Sequence, residues 1–314
     1  MKSPRLFDVY IAVDWSARAV PSPKKPSSDA LWVGEKGEGQ KETYWQTRKD
    51  CIDYIRKRLI YYTGKKKRVF IGFDFAYGYP AGYSRALGLK GKTSPWKKIW
   101  KELRRSITDQ DNNQNNRFQI AAQLNIRCGG KGPLWGCPVG LKIKGLKPTS
   151  PPFPFQTQAG ILLQKFRLVD GRESRIQPVW KLAYTASVGS QVLMGIPAVA
   201  KLCDDSGLSS FSKVWPFDTG FTLKPTPIKG PFILHAEIWP GVIADKLNKK
   251  LSIRDQAQVR AMVDWLSDLD KKGKLGFLFA PPLDLSGKQI KTCSEEEGWI
   301  IGGGLKKFSP GIDN

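Results

Sequence analysis

Three segments of the chain run almost without polar interruption and end on an acid. VYIAVD closes on Asp14, RVFIGFD on Asp74 and FILHAE on Glu237. Short apolar runs rich in β-branched and aromatic residues predict strands covered on both faces. Two other segments have helical period. In CIDYIRKRLIYY, Ile52, Ile55, Leu59 and Ile60 recur between basic residues, and Gly64 closes the segment. In SIRDQAQVRAMVDWLSDLDKKG, Ala257, Ala261, Val263 and Leu266 do the same, with Asp255 in the first turn and Gly273 at the end. Between the first strand and the first helix, VPSPKKPSSD reads as a loop. DALWVGEKGEGQKETYWQ reads as a hairpin, with strands near Leu31 to Gly34 and Glu42 to Trp45. KLGFLFAPP predicts a final short strand, and EEEGWIIGGG a packed terminal segment.

Regularity breaks down in the middle. Residues 95 to about 215 carry three helical pieces, PWKKIWKELRRSI, NRFQIAAQLNI and SVGSQVLMGIPAVAKL. Long Pro- and Gly-rich connections such as KGLKPTSPPFPFQ separate them. The expected organisation is an α/β core in two parts, residues 1–94 and 216–304, flanked by helices and interrupted by a large, mostly helical and loop insertion at 95–215. The tail at 305–314 is expected to be disordered.

With 314 residues, 40% of them apolar, and 11 Trp, the chain can bury a substantial core. It has no apolar run of about 18 residues, so no membrane partner is expected. MKSPRLFDVY lacks the apolar stretch of a signal peptide, which leads us to expect a soluble, cytoplasmic protein. Five scattered cysteines without a C-x-x-C pair suggest buried thiols rather than a zinc site or a disulfide framework. A lone histidine, His235, argues against Ser-His-Asp or Cys-His hydrolysis, and no phosphate-binding P-loop occurs. His235 lies two residues before Glu237, on the same strand face, as a proton shuttle or a buried strand residue.

Charge is the strongest global feature: 51 Lys and Arg against 28 Asp and Glu give a net charge of +23. An excess of this size attracts polyanions, and nucleic acid, DNA or RNA, is the expected partner. In WKKIWKELRRS, Lys97, Lys98, Lys101, Arg104 and Arg105 surround a helix with Trp96 and Trp100. Such interleaving suits phosphate contact plus base stacking. An amphipathic helix with inward tryptophans and solvated cations accounts for it equally well.

The elements in order are a strand ending in Asp14, a hairpin, a helix, a strand ending in Asp74, an insertion, a strand ending in Glu237 and a helix starting with Asp255. That is the order of the ribonuclease H fold, in which the first strand lies beside the strand after the crossover helix. Asp14 and Asp74 would then emerge side by side. Clustered carboxylates suit Mg²⁺ or Mn²⁺, hard cations that prefer oxygen ligands. Without a cation such carboxylates repel and some take up protons. Each acid also has a local role open to it: a turn cap for Asp14, loop amides for Asp74, a basic partner for Glu237, a helix N-terminus for Asp255.

VYIAVDWSA, IGFDFAYGYP, ASVGSQVLMGIP, VWPFDTG, HAEIWP, RDQAQVRAMVDW and EEEGWIIG together resemble a bacterial family with a predicted RNase H-like domain. Some members are labelled cobalamin or molybdopterin biosynthesis proteins, a label these residues give no reason to adopt. The resemblance spans about residues 8 to 303 and implies an RNase H-like mixed sheet with acidic positions at Asp14, Asp74, Glu237 and Asp255. With metal chemistry added, the expectation is a nuclease using Mg²⁺ or Mn²⁺ on those four acids. A nucleic-acid-binding module that does not cut, and a nucleotide or small-molecule cofactor enzyme of related fold, are the alternatives.

Overall fold

Alternation of apolar side chains along the first strand feeds two cores at once. The structure, a computed structural model, describes residues 5–304 other than 131, 174, 186 and 249; the tail at 305–314 lies outside the described residues. Strands β1 (Val9–Asp14), β2 (Leu31–Gly37) and β3 (Gly39–Trp45) form an antiparallel meander. Gly39 takes the positive φ of 88° at its tight second turn. Thr47 then caps α1 (Arg48–Gly64) by accepting from the Asp50 amide. Crossing back, the helix leads into β4 (Arg68–Phe73), parallel to β1.

Helices α2 (Tyr83–Ala86), α3 (Pro95–Ser106) and α4 (Arg117–Arg127) follow, then a two-residue ribbon of β5 (Phe155–Gln156) and β6 (Leu162–Leu163). After α5 (Gly189–Cys203) come β7 (Ser212–Val214), β8 (Phe232–Glu237), α6 (Arg254–Lys271) and α7 (Gly287–Thr292). The six-stranded sheet has the order β3-β2-β1-β4-β8-β7, with β1, β4, β8 and β7 mutually parallel. The chain is thus α/β, a mixed sheet flanked by helices. Among the described residues no helix is long and apolar enough to cross a membrane. Cys51, Cys128, Cys137 and Cys293 are buried free thiols and Cys203 is half-buried.

Two expectations change. KLGFLFAPP forms a 3₁₀ segment at Leu275–Phe279 rather than a strand, because Leu275 and Leu278 bury themselves at a spacing of three, not two. The stretch at 95–215 contributes β7 to the sheet edge, and its helices share one apolar cluster with the core strands. Val9, Ile11 and Val13 of β1 face α1, α3, α4 and α5 in that cluster. Tyr10 and Ala12 face the other way, toward Val259, Met262, Val263 and Leu266 of α6.

The seat of α6 is tightly defined. Near its C-terminal end the buried Asp270 accepts from the amides of Leu6 and Phe7, both at 2.9 Å, and from the Tyr10 hydroxyl at 2.5 Å. Gly34 of β2 lets the helix backbone approach, since a Cβ there would lie 2.7 Å from the Val259 carbonyl oxygen. Gly34→Ala is therefore expected to cost about 1–3 kcal/mol through overpacking, read from urea unfolding midpoints. Gly64→Ala, where a Cβ would meet nothing within 4 Å, serves as its control.

Candidate functional site

Strand register decides which acids meet. Val13 pairs with Phe73 and Phe73 with Glu237 across β1, β4 and β8, so these three side chains share one row. One position further, the Asp74 amide donates to the Val13 carbonyl at 3.1 Å and the Ile238 amide to the Phe73 carbonyl at 3.0 Å. Successive side chains point to opposite faces. Asp14, Asp74 and Ile238 therefore emerge on the α6 face, where Ile238 joins the α6 cluster. Asp255 stands in the first turn of α6 on that same face. Asp14, Asp74 and Asp255 line one cleft of about 760 Å³, together with Asp29, Arg117, Ser190, Gln191 and Arg254.

Each carboxylate is held differently. Asp74 Oδ1 accepts from the Trp15 amide at 2.7 Å. Asp255 Oδ2 accepts from the Asp29 amide at 2.7 Å, and Asp29 sits at a φ of 53°, a left-handed conformation that Asp tolerates in turns. Asp14 accepts no hydrogen bond and forms no ion pair among the described residues. Burial, then repulsion from Asp74 and Asp255, pushes the Asp14 carboxyl well above the ordinary range. Asp74 is raised by burial, which outweighs the Trp15 amide, and Asp255 by burial against the Asp29 amide. Arg254 draws Asp14 and Asp255 back toward ionisation.

This donor set is all oxygen, the chemistry of a hard divalent cation, and Asp14 keeps both oxygens free for one. By spacing, no ligand group is preassembled: among the described residues no three His, Cys, Asp or Glu side chains are arranged to hold an ion.

Glu237 is not brought to the cleft, because its strand parity sends it to the opposite face. It is 3% exposed and meets both terminal nitrogens of Arg167 at 2.7 Å. Arg167 also holds Asp170 at 2.8 Å, closing a buried acid–base–acid triad. Its neighbour His235 is fully buried, 3.2 Å from Ser212 Oγ, and burial pushes its pKa down to about 3. It is a neutral strand residue, without the solvent access of a proton shuttle.

The basic helix α3 also differs from its stacking reading. Trp96 and Trp100 are buried, Trp96 stacked on Phe217 and Trp100 Nε1 donating to the Tyr77 carbonyl. Lys97 pairs with Asp218 at 3.3 Å, Arg104 with Asp204, and Arg105 with Glu102 at 3.1 Å. Lys98 and Lys101 have no ion pair among the described residues. None of the five cations lines the acidic cleft.

Sequence reasoning passed over Asp29, Arg117 and Arg254. Arg254 adjoins Asp255 in the chain, a signal that was there to use. Asp29 ends the Pro- and Ser-rich loop, and Arg117 belongs to the insertion, so neither has a local mark of its role.

Two outcomes follow from these charges. Removing the cation of the triad, as in Arg167→Met, leaves two buried acids uncompensated and is expected to lower stability by about 3–5 kcal/mol in denaturant unfolding. Asp14 is the reverse case. Its folded pKa lies above the unfolded one, so the folded state binds more protons in that interval and stability falls as pH rises through it. In metal-free buffer Asp14→Asn should unfold at a higher temperature than the wild type at neutral pH, with the gain gone below about pH 4, where the unfolded carboxyl is protonated too. A wild type that equals the variant at every pH would remove the repulsion argument. Compared with known proteins, the chain matches no family model, no curated sequence and no solved structure.

Proposed function

We propose that this chain is a divalent-metal-dependent phosphodiesterase acting on nucleic acid, on an RNase H-like sheet. The observation that carries the reading is the meeting of Asp14, Asp74 and Asp255 in one cleft with Arg117 and Arg254, in a protein of net charge +23. Further support comes from the strand order β3-β2-β1-β4-β8, antiparallel through the first three and parallel beyond, which agrees with the expected ribonuclease H arrangement. The cleft lies at the C-terminal ends of two adjacent parallel strands, where open α/β sheets bind their ligands.

Asp14, Asp74 and Asp255 are the residues that would hold Mg²⁺ or Mn²⁺. Bound there, such a cation supplies Lewis acidity toward a phosphoryl oxygen and a more acidic water. The chain's own groups do the rest. Backbone amides of Trp15 and Asp29 orient Asp74 and Asp255. Arg254 moderates the acidic field so that a phosphate can approach, and the basic surface concentrates the polyanion.

The test is cleavage by purified protein in Mn²⁺, with single- and double-stranded DNA, RNA, hybrid and branched substrates. Asp14→Asn and Asp74→Asn should each reduce cleavage by about 10³-fold or more while leaving binding in place. Mn²⁺ should raise the unfolding temperature of the wild type more than that of Asp14→Asn. Absence of cleavage on every substrate would defeat the phosphodiesterase reading, and salt-sensitive binding without cleavage would establish a binding module instead.

A further inference from the structure

The acidic cleft also contains a cation that no carboxylate contacts among the described residues. Arg117 opens α4 and is half-buried in the cleft wall. Its Nε donates to Ser190 Oγ at 3.0 Å and its Nη1 to Asn115 Oδ1 at 2.8 Å, while its guanidinium lies 4.4 Å from the centre of the Phe118 ring. These partners are neutral. Among the described residues no carboxylate stands within ion-pairing distance of it, and Nη2 has no partner. Other buried arginines are treated differently: Arg48 reaches Asp109 at 2.6 Å, and Arg167 has both Asp170 and Glu237. Burial, then the charge of Arg48, pushes the Arg117 pKa down to about 10 against the opposing pull of Asp109, so it remains a cation at neutral pH without a contacting carboxylate.

The surroundings of Arg117 favour negative charge as well. Helices α4, α5 and α6 all begin at this cleft, through Arg117, Ser190 and Arg254, and the N-cap residue of none of them caps it with its side chain; the Arg117 amide instead donates to Asn115 Oδ1 at 3.4 Å and the Gly189 amide to the Lys181 carbonyl at 2.8 Å. The start of a helix carries the positive end of its dipole. Ser190, 5% exposed, anchors the arrangement by donating to the Leu182 carbonyl at 2.6 Å while accepting from Arg117. Gln191 ties the same turn to the residue after Asp14, its Nε2 donating to the Trp15 carbonyl at 2.6 Å. The guanidinium is thus fixed in direction relative to the acids before any ligand arrives.

We propose that Arg117, oriented by Ser190 and Asn115, binds a backbone phosphate of a nucleic-acid strand lying in the acidic cleft. This rests on the nucleic-acid reading of the cleft, but not on cleavage. A guanidinium held by neutral acceptors keeps its full charge and a free N–H edge for phosphate oxygens, which a carboxylate partner would occupy. Arg117 is a positioning residue: it sets where the strand lies, and the acids act on what it presents.

The experiment measures binding of a fluorescent single-stranded oligothymidylate in EDTA, as a function of salt, to the wild-type chain and to Arg117→Gln, Arg117→Lys and Ser190→Ala. Arg117→Gln should weaken binding at least about tenfold at low salt and reduce the slope of log affinity against log salt by about 1. Arg117→Lys should keep the slope but bind several-fold more weakly, because the charge survives and the fork does not. Ser190→Ala should fall between the wild type and Arg117→Gln. Inorganic phosphate should compete for the wild type more effectively than for Arg117→Gln. Wild-type affinity and slope in Arg117→Gln, or no binding by the wild type in EDTA, would overturn the proposal. Should Arg117→Gln fail to fold, Arg117→Lys decides: undiminished affinity overturns it. The two readings separate cleanly. Loss of binding in Arg117→Gln with no wild-type cleavage in Mn²⁺ sinks the phosphodiesterase and leaves the anchor, whereas unchanged binding with cleavage intact does the opposite.

Discussion

Everything at the cleft depends on how α6 is laid against β1. Asp270 ties the C-terminal end of the helix to the chain entering β1, and Gly34 lets the helix backbone rest on the neighbouring strand. The lengths then match. From Asp270 back to Asp255 is 15 residues, roughly 22 Å of helix at ~1.5 Å per residue. Phe7 to Asp14 is seven residues, roughly 23 Å of strand at ~3.3 Å per residue. A helix pinned at one end of the strand therefore delivers Asp255 beside Asp14 at the other. The structural acid Asp270 and the cleft acid Asp255 are opposite ends of one helix.

The molecule treats buried charge in two ways, and the difference separates structure from candidate chemistry. Glu237 and Asp170 clamp Arg167, and Asp109 meets Arg48, so these charges are compensated within the fold. In the cleft, among the described residues, Asp14 has no hydrogen-bond or ion-pair partner beside two other acids, and Arg117 has no contacting carboxylate. Uncompensated charge is costly to hold, and proteins concentrate such departures at sites that bind or react. Acids without a contacting cation and an arginine without a contacting carboxylate, in one cleft, are what the proposed metal-dependent phosphodiesterase would need.

The cost is spread rather than cancelled. Asp74 and Asp255 each rest on a backbone amide, which offsets part of their desolvation without supplying positive charge. Arg117 rests on neutral oxygens in the same way. This arrangement holds the groups in place and leaves their charge available, which full ion pairing would have removed.

Much of this was legible in the sequence. The apolar runs closing on Asp14 and Asp74, the period of α1 and α6, and the hairpin between β2 and β3 are local signals, set by which side chains must leave water. Those signals place Asp14 and Asp74 at strand ends and Asp255 at a helix start. They do not contain strand register, and register decided against Glu237, which looks like Asp14 in sequence but faces the other side of the sheet because it sits one position out of row. Nor do they carry the burial of Trp96 and Trp100, since an amphipathic helix does not declare what its apolar face will meet. Asp29 and Arg117 lie about 90 residues apart in the chain, and only the packing of a loop and an inserted helix around β1 places them in one cleft. The sequence by itself determined the elements and the acids at their ends, because local burial writes those. The tertiary structure alone decided which charges meet, because that depends on register and on helix docking between distant segments.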